Sequence, residues 1–143
     1  MARTELPSVV FADNSYLVAL ANARDQWHAR AQELYRDMHV ARTRLVTTRA
    51  VLLEFGNQMS KRDRRGVAVR FLQALEQDSL TEIVEVTPDL YAAGFALFAG
   101  RPDKDWGLVD CLSFALMTAR GLTDALTADD HFTQAGFAAL LLA

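Results

Sequence analysis

The sequence predicts an α/β domain, with helices on both faces of a mostly parallel sheet. Short β-branched runs alternate along the chain with longer amphipathic segments, which is the pattern of a parallel sheet. The first such run is continuously apolar, as expected of a strand buried on both faces. A length of 143 residues, with 51% hydrophobic and 23% charged residues, suits one folded core. We therefore expect a single domain over residues 1–143 with a three-layer α/β/α architecture.

The first half of the chain predicts two strands and four helices. The run "VVF" predicts a strand that ends before Asp13, and Leu45 begins a second short strand. Tyr35 and Met38 belong to the apolar face of an amphipathic helical pattern, and Thr48 can cap the next helix. The charged stretch "KRDRRG" predicts a connector at 61–66. We expect strands at 8–11 and 45–47, and helices at 16–23, 25–39, 48–59 and 67–77.

The second half predicts two more strands and two longer helices. Residues 80–86 alternate like a half-buried strand, and Pro88 is typical of a helix start. Gly121 is a candidate C-cap for the helix that begins near Leu108. The apolar tail, 137–142, is expected to pack back on the core. We expect strands at 80–86 and 125–127, and helices at 89–99 and 108–119.

Composition narrows the possible compartments. The N-terminal stretch "MARTELPSVVF" lacks the features of a signal peptide, and the apolar runs are too short to span a bilayer. The single cysteine, Cys111, allows no internal disulfide, which favours a reducing compartment. We therefore expect a cytoplasmic protein with no membrane association.

Charge is unevenly distributed along the chain. The net charge is −3, but residues 1–70 carry 12 Lys and Arg against 7 Asp and Glu. The remaining residues carry 3 basic and 11 acidic side chains. This asymmetry is compatible with a basic face beside an acidic pocket, and equally with an ordinary solvated surface.

Four acids lie in apolar surroundings on four different elements. Asp13 and Asp129 follow the first and last predicted strands, so both belong at the carboxyl edge of a parallel sheet, where ligands bind. Glu54 in "VLLEFGN" and Asp110 in "WGLVDCLSF" lie within apolar helical stretches. Converging carboxylates repel and need a cation between them to remain ionised. Oxygen ligands without a cysteine or histidine cluster favour Mg²⁺ or Mn²⁺.

The stretches that carry these acids resemble the PIN domain, and in particular the VapC-like ribonuclease toxins of type II toxin–antitoxin systems. The matching segments are "FADNSYLVAL", "TTRAVLLEFGN", "DKDWGLVDCLSFALM" and "DALTADDHFTQAGF", spread over about residues 9–137. The resemblance implies a PIN-like fold and an Mg²⁺- or Mn²⁺-dependent endoribonuclease that cleaves RNA phosphodiesters with a metal-activated water. It also implies a cognate antitoxin protein and a homodimer.

The resemblance also implies roles for individual side chains. Gly107 departs from the family, in which a serine often caps this helix. The implied metal-binding and catalytic acids are Asp13, Glu54, Asp110 and Asp129. The side chains expected to support them are Ser15, Asn57, Asp105 and Thr127, with Asp105 capping the following helix or lying at the rim of the pocket.

Basic side chains could line a groove for the RNA backbone, since Arg and Lys contact phosphates with little sequence preference. A solvated connector explains the 61–65 run equally well. The candidates are Arg42, Arg44, Arg49, Lys61, Arg62, Arg64 and Arg65.

Other functions fit the residues less well. A phosphatase of the haloacid dehalogenase type needs an acid at the position of Ser15, and a response-regulator receiver needs a different set of acids and a lysine. A catalytically silent PIN-like scaffold that binds RNA or protein is the remaining alternative. The three histidines, His28, His39 and His131, are not expected to bind metal.

Overall fold

The computed structural model describes residues 6–143, so the start of the N-terminal stretch, for which no signal peptide is expected, lies outside the described residues. The strands are β1 (Val9–Ala12), β2 (Arg44–Thr48), β3 (Thr81–Val84), β4 (Asp124–Leu126) and β5 (Ala138–Ala139). The helices are α1 (Asn14–Ala21), α2 (His28–Ala41), α3 (Arg49–Gln58), α4 (Arg62–Gln77), α5 (Pro88–Gly100), α6 (Leu108–Arg120) and α7 (Asp130–Gln134).

The strands form one five-stranded sheet in the order β3-β2-β1-β4-β5, and all of its described pairings are parallel. Along the chain, β2 and β3 are added in turn on one side of β1, and β4 and β5 are then added on its other side. Right-handed crossovers therefore place α1 to α4 on one face and α5 with α6 on the other. This confirms the predicted parallel sheet flanked by helices. The change of direction between β1 and β4 opens a crevice at their carboxyl ends.

The core forms where β1 and β4 meet the helices. Val10, Phe11 and Leu126 are fully buried, as the continuous apolar run of β1 predicts. Phe114 of α6 packs edge-on against Phe132, with ring centroids 4.9 Å apart. These aromatic contacts hold the segment after β4 against α6, and so fix two of the acidic segments relative to each other.

Three sequence-based expectations need correction. Residues 62–66 are not a connector but the first turns of α4, where the N–H groups of Arg64 and Arg65 already donate to the carbonyl of Lys61. Asp63, an acid in the first turn of α4, stabilises the helix by interacting with the positive end of its dipole. The basic residues around Asp63 hide this helix-start signal in the sequence. Tyr35 is half exposed rather than on the buried face of α2. The short helix α7 after β4 was not expected.

The remaining elements match their predictions within a few residues. Thr48 caps α3 by accepting a hydrogen bond from the N–H of Val51, and Gly121 ends α6 in a left-handed conformation, with φ 68°. The tail contributes β5 and the buried Leu141. Across residues 6–143, no helix combines the length and apolar character needed to cross a membrane.

Candidate metal centre

Asp13 ends the central strand and begins α1. Its backbone N–H donates to the carbonyl of Leu126 in β4, which ties the end of β1 to the neighbouring strand (3.1 Å). Its side chain caps α1 and is only 5% exposed. The strand–cap junction thus explains why a buried apolar run ends in a carboxylate.

Two hydroxyl groups hold this carboxylate from the β4 side. Ser15 Oγ and Thr127 Oγ1 lie 3.1 and 2.9 Å from Asp13 Oδ2. The backbone N–H of Ala128 donates to Ser15 Oγ, and that of Asp129 donates to Thr127 Oγ1. Because backbone donors fill an acceptor site on each hydroxyl, both hydroxyl protons are free to point at Asp13.

Asp110 and Asp129 meet across the gap between α6 and α7. Asp110 Oδ2 accepts the N–H of Gly107, the N-cap of α6, at 3.1 Å. Asp129 caps α7 by accepting the N–H of His131 at 2.9 Å. The imidazole Nδ1 of His131 lies 3.1 Å from Asp110 Oδ2 and 3.5 Å from Asp129 Oδ1.

Glu54 reaches the same place from the middle of α3. It shares one wall of a cavity of about 470 Å³ with Gln58, which lies one helical turn later. The side-chain amide of Asn14 donates to Gln58 Oε1 at 2.8 Å and joins α1 to α3. All four predicted acids therefore line one cavity at the carboxyl edge of the sheet.

Burial and mutual repulsion disfavour the ionised form of these acids. Desolvation raises the pKa of Asp13 to about 6, although hydrogen bonds from Thr127 and from the backbone oppose the shift. Desolvation, with added repulsion from the other three acids, raises the pKa of Glu54 to about 7. The pKa of Asp110 is also raised, mainly by desolvation, against the N–H of Gly107 and the imidazole of His131.

The donor set fits a divalent cation. No Lys or Arg is among the described residues that line this cavity. Among residues 6–143, Asp110 Oδ1, Asp129 Oδ2 and both oxygens of Glu54 accept no hydrogen bond. Carboxylate oxygens that converge without a partner are the ligands hard cations prefer. Asp110, Asp129 and His131 also place three donor atoms within 4.8 Å of one another.

Two predicted supporting residues do not join this cluster. Asn57 is exposed and does not line the cavity, whereas Gln58, one residue later, does. Asp105 is exposed and does not cap α6, whose N-cap is Gly107. Ser15 lines the cavity, and Thr127 lies fully buried behind it against Asp13.

The basic candidates fall into three places. Arg44 pairs in register with Val9, so it and Arg42 lie toward the amino edge of the sheet, away from the acids. Arg49 forms ion pairs with Glu76 and Glu85. Those partners raise the pKa of its guanidinium and occupy its donors. The remaining basic candidates lie at the start of α4, just after the cavity wall at Gln58: Lys61, Arg62, Arg64 and Arg65.

Several residues that line this cavity are not among the sequence-based site candidates, including Asn14, Asp25, Gln58 and His131. Asn14 directly follows Asp13, and Gln58 lies one helical turn after Glu54, a spacing that Asn57 satisfies equally well. His131 lies two residues after Asp129, and its place beside Asp110 depends on the fold of α7 against α6.

The chain belongs to the PIN domain family, whose family model matches residues 10–138. It is similar to the 23S rRNA-specific endonuclease VapC20 of Mycobacterium tuberculosis, in strains CDC 1551 / Oshkosh and ATCC 25618 / H37Rv. Identity is 28% over 129 residues, or 90% of this chain and 95% of the relative. The crystal structure of Mycobacterium tuberculosis VapC20, described as a sarcin–ricin loop cleaving toxin, superposes with a TM-score of 0.79 at 28% identity. That superposition covers 90% of this chain and 95% of the crystallised one.

Proposed function

We propose that this chain is a metal-dependent endoribonuclease, built as a single PIN domain over residues 1–143, that hydrolyses RNA phosphodiester bonds. The observation that carries the proposal is the convergence of Asp13, Glu54, Asp110 and Asp129 in one cavity whose described lining holds no Lys or Arg. A scaffold that never bound a cation would keep four mutually repelling groups at a cost to its own stability. The nuclease function is therefore preferred to a silent RNA- or protein-binding scaffold.

Each side chain has a distinct task in this proposal. Asp13, Glu54, Asp110 and Asp129 would hold the cation, and Ser15 and Thr127 keep Asp13 in one orientation. A bound divalent cation supplies Lewis acidity, which activates water and stabilises developing charge during phosphodiester hydrolysis. We propose Mg²⁺ or Mn²⁺, because oxygen donors predominate.

RNA would enter over the start of α4. Lys61 follows the cavity-lining Gln58 by three residues, so their Cα atoms are at most about 11 Å apart. Lys61, Arg62 and Arg65 are exposed and free to meet phosphates. Arg42, Arg44 and Arg49 are less suited to this role because of their position or their ion pairs.

Cleavage of RNA by the purified protein tests the proposal directly. The substrates are a labelled total-RNA pool and an RNA hairpin with the sarcin–ricin loop sequence, which the relative cleaves according to its description. We expect cleavage with Mg²⁺ or Mn²⁺, none with EDTA, and products with 5′-phosphate and 3′-hydroxyl ends. The Asp13→Asn variant should lose at least about 100-fold in rate.

The neighbouring acid Asp130 provides the matched control. It is exposed and lies beside Asp129 without lining the cavity, so Asp130→Asn should cleave at the wild-type rate. If wild-type protein binds neither Mg²⁺ nor Mn²⁺ in calorimetry and leaves both RNAs intact, the scaffold alternative replaces the nuclease.

Such a ribonuclease needs restraint in the cytoplasm, where we propose that it acts. We propose a cognate antitoxin that places a cationic side chain against the four carboxylates, which have no Lys or Arg beside them in the described cavity lining. Co-expression with the product of an adjacent gene should suppress cleavage and yield a stable complex. If that product neither binds nor inhibits, it is not the antitoxin.

We further propose a homodimer through α5. Tyr91, Phe95 and Phe98 repeat at helical spacing and are 47%, 50% and 45% exposed, and α5 contains no Lys or Arg. An uncharged aromatic stripe is suited to an identical stripe across a two-fold axis. Light scattering at about 50 μM should give twice the chain mass for the wild type and the monomer mass for Phe95→Glu. A monomeric wild type would refute the dimer.

A further inference from the structure

His131 occupies a position that the four-acid metal site does not explain. Its Nδ1 lies 3.1 Å from Asp110 Oδ2 and 3.5 Å from Asp129 Oδ1, and the three residues place their donor atoms within 4.8 Å of one another. The ring is partly buried and lines the same cavity as the acids. Its backbone N–H donates to Asp129 Oδ1, the N-cap of α7, so the start of α7 fixes where the imidazole lies.

The spacing of these atoms suits a shared cation. In an octahedral shell with ligands at about 2.1 Å, neighbouring ligand atoms lie roughly 3 Å apart. The distances from Nδ1 to the two carboxylate oxygens are close to that value. Asp110 and Asp129 each have a second carboxylate oxygen that accepts no hydrogen bond from the described residues. These oxygens are available for further coordination of the ion.

We propose that His131 is a direct nitrogen ligand of the metal in this cavity, and that it makes the site select Mn²⁺ over Mg²⁺. Both ions bind carboxylates, but Mn²⁺ is a first-row transition ion that gains from a nitrogen ligand, whereas Mg²⁺ strongly prefers oxygen. A mixed site of two carboxylates and one imidazole therefore gains more with Mn²⁺ than a site of carboxylates alone. The inference rests on the proposed metal-dependent function and adds the identity of one ligand and the preferred ion.

The other two histidines differ in their surroundings. His28 Nδ1 lies 2.7 Å from the carbonyl of Ala19, and His39 stacks on Tyr35 at an exposed position of α2. Neither lines the acidic cavity. His39→Gln is therefore a matched control that removes an imidazole without touching the site.

Pulsed electron paramagnetic resonance of the Mn²⁺-loaded protein, without RNA, tests the ligand directly. A directly bound imidazole gives ¹⁴N modulation of the Mn²⁺ signal. We expect this modulation in the wild type and in His39→Gln, and its loss in His131→Asn, which still offers an oxygen. In calorimetry, His131→Asn should weaken Mn²⁺ binding about 10-fold or more and Mg²⁺ binding less, so that the preference for Mn²⁺ shrinks.

The outcomes separate this inference from the proposed function. Mn²⁺ that binds the wild type with no ¹⁴N modulation would overturn the ligand role of His131 and leave the carboxylate site and the nuclease intact. An equal loss of Mg²⁺ and Mn²⁺ affinity in His131→Asn would overturn the selectivity. A wild type that binds neither ion would overturn both this inference and the proposed function.

Discussion

The buried carboxylate of Asp13 lowers the free energy of unfolding of the metal-free protein. Its pKa is raised from 3.8 to about 6, so between these values the folded state binds more protons than the unfolded state. The free energy of unfolding therefore falls as the pH rises through this window and stays low above it. In EDTA, this penalty is on the order of 3 kcal/mol at pH 8, falls below about 1 kcal/mol near pH 4 and is absent at lower pH.

Asp13→Asn removes that penalty because an amide does not ionise. We expect the variant, measured by urea denaturation in EDTA, to gain stability relative to the wild type between pH 4.5 and pH 8. Mn²⁺ at pH 8 should stabilise the wild type and leave the variant much less affected. A stability difference that is the same at both pH values would contradict the assignment of the shift to Asp13.

Thr127 links two of the acids through a single hydroxyl. It lies 2.9 Å from Asp13 Oδ2, accepts the N–H of Asp129 and is fully buried. Thr127→Val keeps the shape but leaves that N–H without its acceptor and removes one of the two hydroxyl donors to the carboxylate, which costs about 1–3 kcal/mol. We expect a matching loss of stability and weaker Mn²⁺ binding. Thr123→Val, at an exposed position, should change neither the stability nor the Mn²⁺ affinity. If Thr127→Val also leaves both unchanged, the hydroxyl of Thr127 is dispensable.

The α5–α6 pair depends on one glycine. A Cβ on Gly94 would lie 2.6 Å from Leu112 Cδ2 and 3.1 Å from Leu112 Cα. A rotamer change of Leu112 could relieve the first contact but not the second, which is with the backbone. Gly94→Ala should therefore force α5 away from α6 and cost about 1–3 kcal/mol in thermal or urea unfolding, despite the better helix propensity of alanine.

Gly100, in the last turn of the same helix, is the control. A Cβ there meets nothing within 4 Å, so Gly100→Ala should be neutral or stabilise by up to about 1 kcal/mol. Loss of stability in both variants would point to the conformation of α5 rather than to its contact with Leu112.

The strands and longer helices could be predicted because periodicity and caps are local signals. The run "VVF" and the cap Thr48 predicted β1 and the start of α3. The start of α4 was wrong, because a dense charge run with a glycine looks like a connector unless the helix dipole and Asp63 are weighed. The short helix α7 has too few residues for a period, and the packing of Phe132 against Phe114 supports it instead.

The candidate site was predictable to the extent that topology alone determines it. Parallel strands bring the residues after β1 and β4 together, which placed Asp13 and Asp129 at one edge. The contact between His131 and Asp110 depends on how α7 packs against α6, and no local pattern specifies that packing. The three-residue spacing from Glu54 indicates Asn57, and only the structure shows that Gln58 lies on the side of α3 that faces the cavity.

The distribution of charge over the whole molecule determines how RNA would be held. Residues 1–70 carry most of the basic side chains, yet the fold leaves one group of the RNA-binding candidates at the amino edge of the sheet and a second group at the start of α4, while Arg49 is held in ion pairs. If the second group meets the RNA backbone, each phosphate contact contributes about 0.7 to the slope of log affinity against log salt for a single strand. A loss of affinity alone does not show whether a side chain contacts a phosphate or only adds to the overall positive charge of the protein. The change in the salt slope, compared between the two groups, does.

Binding is best measured on the Asp13→Asn background in EDTA, so that the RNA stays intact. Adding Arg62→Gln and Arg65→Gln, both at exposed positions, should lower the salt slope by roughly 1.4, since two phosphate contacts are lost. The same charge removed at Arg42 and Arg44 should change the slope by much less, because these residues lie toward the opposite edge of the sheet. Equal changes from the two pairs would mean that RNA responds to the overall positive field, and that the start of α4 is not its path to the carboxylates.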